Sequence, residues 1–370
     1  MRALVIGGTG PTGPHLLQGL LDRGYDVTIL HRGVHEPPGL PEVRHLHADP
    51  HFRETIDEAI GAESWDVVVC TYGRLKVIAS AFAGRCEQLI GVSGVPVYRG
   101  FADPQNTRPH GMRVLAREDG PLADAYDPVP EFAGKIVTAE REVFATGKAG
   151  GYAATIVRYP QIYGPRNMVP WEWAVMKRIL DGRRQMILPD GGLWMISRCA
   201  ARNAAAVLLA AVDQPRAAAG HAFNVADDDQ HTTGQWVQNV AALLGAELEI
   251  VGIPRELAPS AMGELLAQNA GPHVLVDAHL AKELLGYREV VSAANALADT
   301  VRWLTENPVT QEAYPTYNAK FDYAMEDRLI AAWRDACAHV RAKAPDTVVP
   351  RTHAMPHPKA PSLAADARGR

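Results

Sequence analysis

Apolar residues in this chain come in short runs divided by turn-forming residues, and the runs alternate between two periods. Residues 3–6 (Ala-Leu-Val-Ile) form an unbroken apolar run. Residues 14–23 place Leu16, Leu17, Leu20 and Leu21 at helical spacing and stop at Gly24, a good left-handed cap. Residues 26–30 are a second apolar run. The alternation continues, with strand-like stretches at 43–48, 65–71, 88–92, 152–158, 221–225 and 248–251. Helical stretches fall at 55–60, 131–140, 176–184, 201–212, 235–244, 280–285 and 293–304, with Thr232 or Thr233 placed to cap the one before Gly245. Strands separated by helices predict a parallel sheet covered on both faces.

The first strand runs into Gly7-Gly8-Thr9-Gly10-Pro11-Thr12-Gly13, and Pro14 opens the helix that follows. Each glycine has a separate physical task. Gly7 permits the sharp exit from the strand, Gly10 lets backbone N–H groups approach a pyrophosphate, and Gly13 allows tight packing of helix on sheet. The helix N-terminus then offers unpaired N–H groups and a partial positive charge to phosphates. This is the opening βαβ unit of a dinucleotide-binding sheet, and the whole reads as α/β, a Rossmann-type doubly wound parallel sheet, to which the resemblance described below adds a smaller C-terminal substrate-binding lobe.

The residue about 20 positions beyond such a turn reads the adenosine ribose. No acid stands there: the stretch is His31-Arg32-Gly33. The donor fork of Arg32 suits a 2′-phosphate, so NADP(H) is preferred over NAD(H). His45, His47 and His51 alternate along an extended stretch, but without a fourth ligand they read as exposed strand histidines, with no metal expected. Residues 99–130 carry Pro104, Pro109, Pro121, Pro128 and Pro130 and read as either a functional loop or a solvated insertion.

The every-third-residue glycine spacing, a Val97-Tyr98 pair after the 88–92 strand, Tyr159-Pro160-Gln161-Ile162-Tyr163-Gly164-Pro165 and Phe223-Asn224-Val225 together resemble the extended, epimerase/dehydratase-like branch of the short-chain dehydrogenase/reductase superfamily, over roughly residues 1–308. The resemblance implies a cofactor site made of Gly7, Thr9, Gly10, Pro11, Thr12, Gly13, Arg32, Asp49, Pro50, Tyr72, Gly73, Lys135, Tyr159, Pro160 and Ile162, with Asp49 accepting from the adenine amino group. It places substrate near Gln161. It also implies hydride exchange with a small molecule, and a homodimer through the two helices flanking the Ser93 region.

Three departures qualify it. The hydroxyl position before Val97-Tyr98 falls on Gly94, with Ser93 one residue early. The tyrosine expected four residues before a lysine is missing: anchoring on Lys135 puts Glu131 there, and anchoring on Glu140 puts Phe132 and Ile136 at the two positions. Glu131 with Lys135 is equally an ordinary i,i+4 helix pair. Lys135 is the candidate for ribose contact, and Tyr98, Ser93 and Tyr163 are the candidates for the hydroxyl that meets substrate. Finally, the segment 193–199, with Trp194 and a displaced Arg198, is more apolar than a diphosphate cradle and points to an aromatic or hydrophobic substrate.

Composition narrows the function. With 370 residues, 47% hydrophobic, a net charge of −5 and four unpatterned cysteines, the chain fits a globular enzyme of the reducing cytoplasm and gives no case for nucleic acid. No apolar run approaches the roughly 20 residues of a membrane span. The expected organisation is a dinucleotide-binding domain at 1–165 (with a strand returning near 220–226), a substrate lobe at 166–308, a helical appendix at 309–341 striped by Leu329, Ile330, Trp333, Cys337 and Val340, and a flexible tail at 342–370. The reading is an NADP(H)-dependent oxidoreductase with an atypical site, acting on a carbonyl, alcohol or enone. Its rivals are a nucleotide-sugar epimerase or dehydratase, and a non-catalytic NADP(H) sensor or scaffold.

Overall fold

In the computed structural model, residues 1–34, 36, 39–125, 130–258, 261, 273–310 and 321–344 are described. Seven parallel strands form the central sheet in the order β10-β6-β5-β4-β1-β2-β3. They are β1 (Arg2–Ile6), β2 (Asp26–His31), β3 (Arg44–His47), β4 (Trp65–Cys70), β5 (Cys86–Gly94), β6 (Ala153–Tyr159) and β10 (Ala222–Asn224). Winding reverses between β1 and β4, so the carboxyl ends of those strands border a crevice where the connections part to opposite sides.

Successive residues of β1 serve opposite faces. Ala3 and Val5 pack with Leu16, Leu17 and Leu20 of α1 (Gly13–Asp22) and Leu208 of α6 (Ala201–Asp213). Leu4 and Ile6 pack with α2 (Arg53–Ile60), α3 (Leu75–Ala81) and α4 (Glu131–Lys148) through Ile56, Ile78 and Val143. The short apolar helix α3 had no counterpart in the sequence reading: its seven residues are too few to establish a helical period.

The lobe adds β7 (Gln161–Tyr163) paired with β9 (Arg198–Ala200), and β8 (Gln185–Pro189) paired with β11 (Glu249–Ile253). Its core gathers Trp173 and Met176 of α5 (Trp173–Leu180), Trp236 and Val240 of α8 (Thr233–Leu243) and Leu297 of α10 (Ala293–Glu306). Thr232 caps α8 in a full capping box with Gln235. The helix expected at 176–184 ends instead at Leu180, where Asp181 and Gly182 (φ +83°) turn the chain toward β8. Two further α-helices among the described residues are α7 (Pro215–Ala218) and α9 (His279–Leu285).

The chain divides into two compact units, Met1–Tyr323 and Ala324–Arg370. The boundaries expected at 165 and 308 both lie inside the first. In the second, the described residues belong to the long helix α11 (Tyr323–Arg341) and the turn after it. Ile330 is buried and Leu329, Trp333 and Cys337 are half-buried, whereas Val340 is exposed. The tail beyond 344 lies outside the described residues.

Candidate active site

The glycine turn curls over the carboxyl ends of β1 and β4. Gly7 has φ +97°, a left-handed conformation that glycine adopts without strain. A Cβ on Gly13 would sit 1.8 Å from the carbonyl oxygen of Gly8, so this helix start exists only because position 13 is bare. A Cβ on Gly10 would meet nothing within 4 Å. Thr71, just past β4, locks the turn: its hydroxyl accepts from Gly8 N (3.1 Å) and donates to Ile6 O (3.1 Å).

Beneath this turn lies a cleft of about 590 Å³, lined by Gly7, Thr9, Gly10, Pro11 and Thr12, by Arg32 and Tyr72, and by Tyr159 and Ile162. The chain thus brings nine of the expected cofactor residues to one cavity. The Arg32 guanidinium lies over the Tyr72 ring, 5.6 Å from its centroid, at the cleft's rim. Gly8, His31, Gly33, Val34, Thr71 and Met168 also line the cleft and were not read from the sequence. Two of those had a visible signal in hindsight, since His31 and Gly33 flank Arg32.

The other expected cofactor residues lie outside that lining. Asp49 is engaged by His51, whose N–H and Nδ1 reach its carboxylate at 3.0 and 2.6 Å; these bonds hold the Asp49 pKa below its ordinary value. Pro50 and Gly73 pack together as a support, a Gly73 Cβ meeting Pro50 Cβ at 2.9 Å. Gly13 is used for packing, and Pro160 stands between two lining residues.

Four candidates for the chemistry need correction. Lys135 is 73% exposed and pairs with Glu131. The cause is helix phase: Ala133, Val137, Glu140 and Val143 turn inward from α4, which points 131 and 135 to solvent. Tyr98 is buried, donating to Asn224 Oδ1 (2.7 Å) and accepting from Arg158 Nη1 (2.9 Å), and burial pushes its pKa up to about 12. Tyr163 is buried too, donating to Asp227 Oδ2 (2.6 Å), and burial followed by Asp227 drives its pKa upward. Both phenols are thus engaged inside the core, outside the lining of the cleft. The half-buried Ser93 hydroxyl donates to Glu140, which Arg158 grips at 3.1 and 2.7 Å.

Next to the cleft, Gln161 is buried with neither amide atom hydrogen-bonded, and the indole N–H of buried Trp194 also lacks a partner. Buried polar groups are normally satisfied, so these unpaired atoms stand out from the rest of the interior. The segment 99–125 is integral to the body: Phe101, Met112 and Ala116 pack on Trp194, and the Glu118 carbonyl accepts from Arg158. Of the alternating histidines, His51 goes to Asp49, whereas His45 and His47 meet His31 and Glu36. Sequence alternation missed His31 and Glu36 because they arrive from a neighbouring strand and its connection.

The structure resembles solved nucleotide-sugar enzymes. UDP-glucose 4-epimerase of Thermotoga maritima, solved with UDP-glucose, superposes with TM-score 0.66 at 17% identity, covering 83% of this chain and 99% of that one. dTDP-glucose 4,6-dehydratase of Bacillus anthracis, solved with NAD, gives TM-score 0.64 at 16% identity over 83% and 97%. This chain has the Rossmann-like α/β fold of these epimerases and dehydratases. The chain is also similar to curated enzymes. One is the 3-diazoavenalumate denitrifying reductase of a Streptomyces species, 28% identical over 287 residues, 71% of this chain and 88% of the relative. Another is the UDP-N-acetyl-alpha-D-glucosaminuronate decarboxylase of Bacillus cytotoxicus, 24% identical over 342 residues, 82% and 98%. No family model matches the chain. Among the described residues, no helix is long and apolar enough to cross a membrane.

Proposed function

We propose that this protein is an extended short-chain dehydrogenase/reductase, an NADP(H)-dependent oxidoreductase of a small aromatic or hydrophobic electrophile. The observation that carries the reading is Arg32 at the rim of the glycine-turn cleft, at a strand end that bears no acid. The donor fork of Arg32 would bind a 2′-phosphate, the open face of Gly10 would let backbone amides approach the pyrophosphate, and Tyr159 and Ile162 would wall the nicotinamide end. When bound, the nicotinamide supplies or takes a hydride.

The chain's own residues suggest which substrates suit it. Neither anchoring on the 131–140 helix supplies the superfamily's tyrosine, Glu131 standing there in one and Phe132 in the other, and Tyr98 and Tyr163 are committed inside the core. A substrate whose reduction leaves no oxyanion to protonate fits such a site. The reductase relative is named for loss of nitrogen from a diazo compound. In that class, replacing a C–N₂⁺ group by C–H breaks the C–N bond, releases N₂ and creates no oxyanion. Carbonyls and enones remain in the proposed class. Gln161 and Trp194 offer the unpaired polar atoms that would orient the molecule. A cytoplasmic homodimer through α3 and α4, where Phe132 is exposed, belongs to the same proposal.

The test is fluorescence titration of the full chain with NADPH and NADH, repeated with Arg32→Ala. The expected result is a preference for NADPH that the substitution weakens by about 10- to 100-fold, the range of one charged hydrogen-bonding contact, with little change for NADH. Equal affinities unaffected by the substitution would refute the preference. A second reading, nucleotide-sugar conversion, draws on the neighbours solved with UDP-glucose and NAD. It predicts sugar-nucleotide turnover without net consumption of NADPH.

A further inference from the structure

We propose that His31, His45, His47 and Glu36 form a binding site for a zinc-class dication at the outer edge of the sheet. β2 and β3 are parallel neighbours with His31 opposite His47 and Ile29 opposite His45. Residues opposite each other, or two apart on one strand, share a face. All three imidazoles therefore converge on the side where Ile29 packs, and Glu36 reaches them from the connection between the strands. The four ligand atoms lie within 4.8 Å of one another.

The separations match the ion. Zinc bound to nitrogen and oxygen at about 2.0–2.2 Å in a tetrahedron has ligand–ligand edges of about 3.3–3.6 Å. Glu36 Oε1 is 3.4 Å from His31 Nε2, 3.5 Å from His45 Nδ1 and 3.3 Å from His47 Nε2. His31 Nε2 and His45 Nδ1 are 2.9 Å apart, a hydrogen bond that must open by about half an ångström to become such an edge. Three neutral imidazoles and one carboxylate form a donor set suited to zinc. His31 is buried, whereas His47 and Glu36 are at the surface, which leaves the ion a route in.

Loading has a local consequence. Gly33 N–H donates to His31 Nδ1 at 3.2 Å, so the Nε2 of His31 carries the proton and donates to His45. An ion at Nε2 requires that proton to move to Nδ1, which replaces the Gly33 contact. His31 and Gly33 both line the nucleotide cleft. The ion would therefore tie the β2–β3 connection to the sheet edge and set the backbone on either side of Arg32.

The experiment uses the full chain, stripped with a chelator and titrated calorimetrically with ZnCl₂ in the absence of nucleotide. One equivalent is expected, accompanied by a rise in Tm and, with Co²⁺ in place of zinc, the visible absorption of a tetrahedral centre. His47→Gln and Glu36→Gln, both at the surface and checked for native circular dichroism, should weaken binding by at least about 10- to 100-fold, the loss that removal of an outer partner already causes. His279→Ala, an exposed histidine on α9, should bind as the parent does. The proposal is overturned by absence of stoichiometric binding, or by an affinity that His47→Gln and Glu36→Gln leave as it was.

Discussion

At Gly13 a single hydrogen atom decides whether the first helix can start where it does. The atoms a Cβ would strike are the backbone carbonyl of Gly8 at 1.8 and 2.4 Å, and backbone has no rotamer with which to yield. Gly13→Ala is therefore expected to cost at least the roughly 1–3 kcal/mol of an overpacked site in urea unfolding, and to abolish nucleotide binding as the turn opens. Gly10→Ala places its Cβ in open space and should leave stability within about 0.5 kcal/mol. Equal losses in the two variants would contradict this account. Residue spacing alone identified both glycines, because a backbone requirement at a turn is local. The same spacing could not say that Tyr98 and Tyr163 are buried: each is enclosed by residues far off in the chain, Asn224 and Asp227.

Between elements, the junction of α5 and α8 contains a carboxylate that burial works against. Glu172, at the start of α5, accepts from the Trp236 indole N–H of α8 at 3.2 Å, and Tyr163 meets the Trp236 ring edge-on at 4.8 Å. Burial holds the Glu172 pKa above its ordinary value of 4.5. The native state then keeps a proton that the unfolded chain releases, so stability falls as pH rises from about 4.5 through the folded value. Glu172→Gln should flatten that fall, read as the urea midpoint across a pH series. What slope remains belongs to Glu118, Asp227 and Glu289, which burial also raises. An unchanged profile would mean that Glu172 stays ionised in the fold. At this scale the helix and strand periods were legible along most of the chain, whereas the inward phase of α4, fixed by the Glu140–Arg158 pair, required the strand β6 beside it.

For the molecule as a whole, sheet order sets where rigidity resides. β1, β4, β5 and β6 are each paired on both sides and nearly all their apolar residues are buried, while β3 closes an edge and none of its residues is fully buried. Hydrogen exchange should be slowest in those four strands and markedly faster in β3 and α11. Uniform protection across the sheet would contradict that ranking. Zinc should slow exchange in β3 if the edge site binds it. A stable platform under a less stable rim suits a fold whose cleft opens at the strand ends.

The sequence by itself determined the class of fold and the location of the nucleotide turn, because alternating hydrophobic periods and a glycine pattern act within a few residues of where they are written. Tertiary structure decided what depends on strands meeting. It gathered Arg32, Tyr72, Tyr159 and Ile162 around the turn, withdrew Tyr98 and Tyr163 from reach, faced Lys135 outward, and brought His31 and Glu36 to His45 and His47. The physical reason is that side chains distant in sequence acquire neighbours only through strand order, register and helix phase, none of which a local pattern encodes.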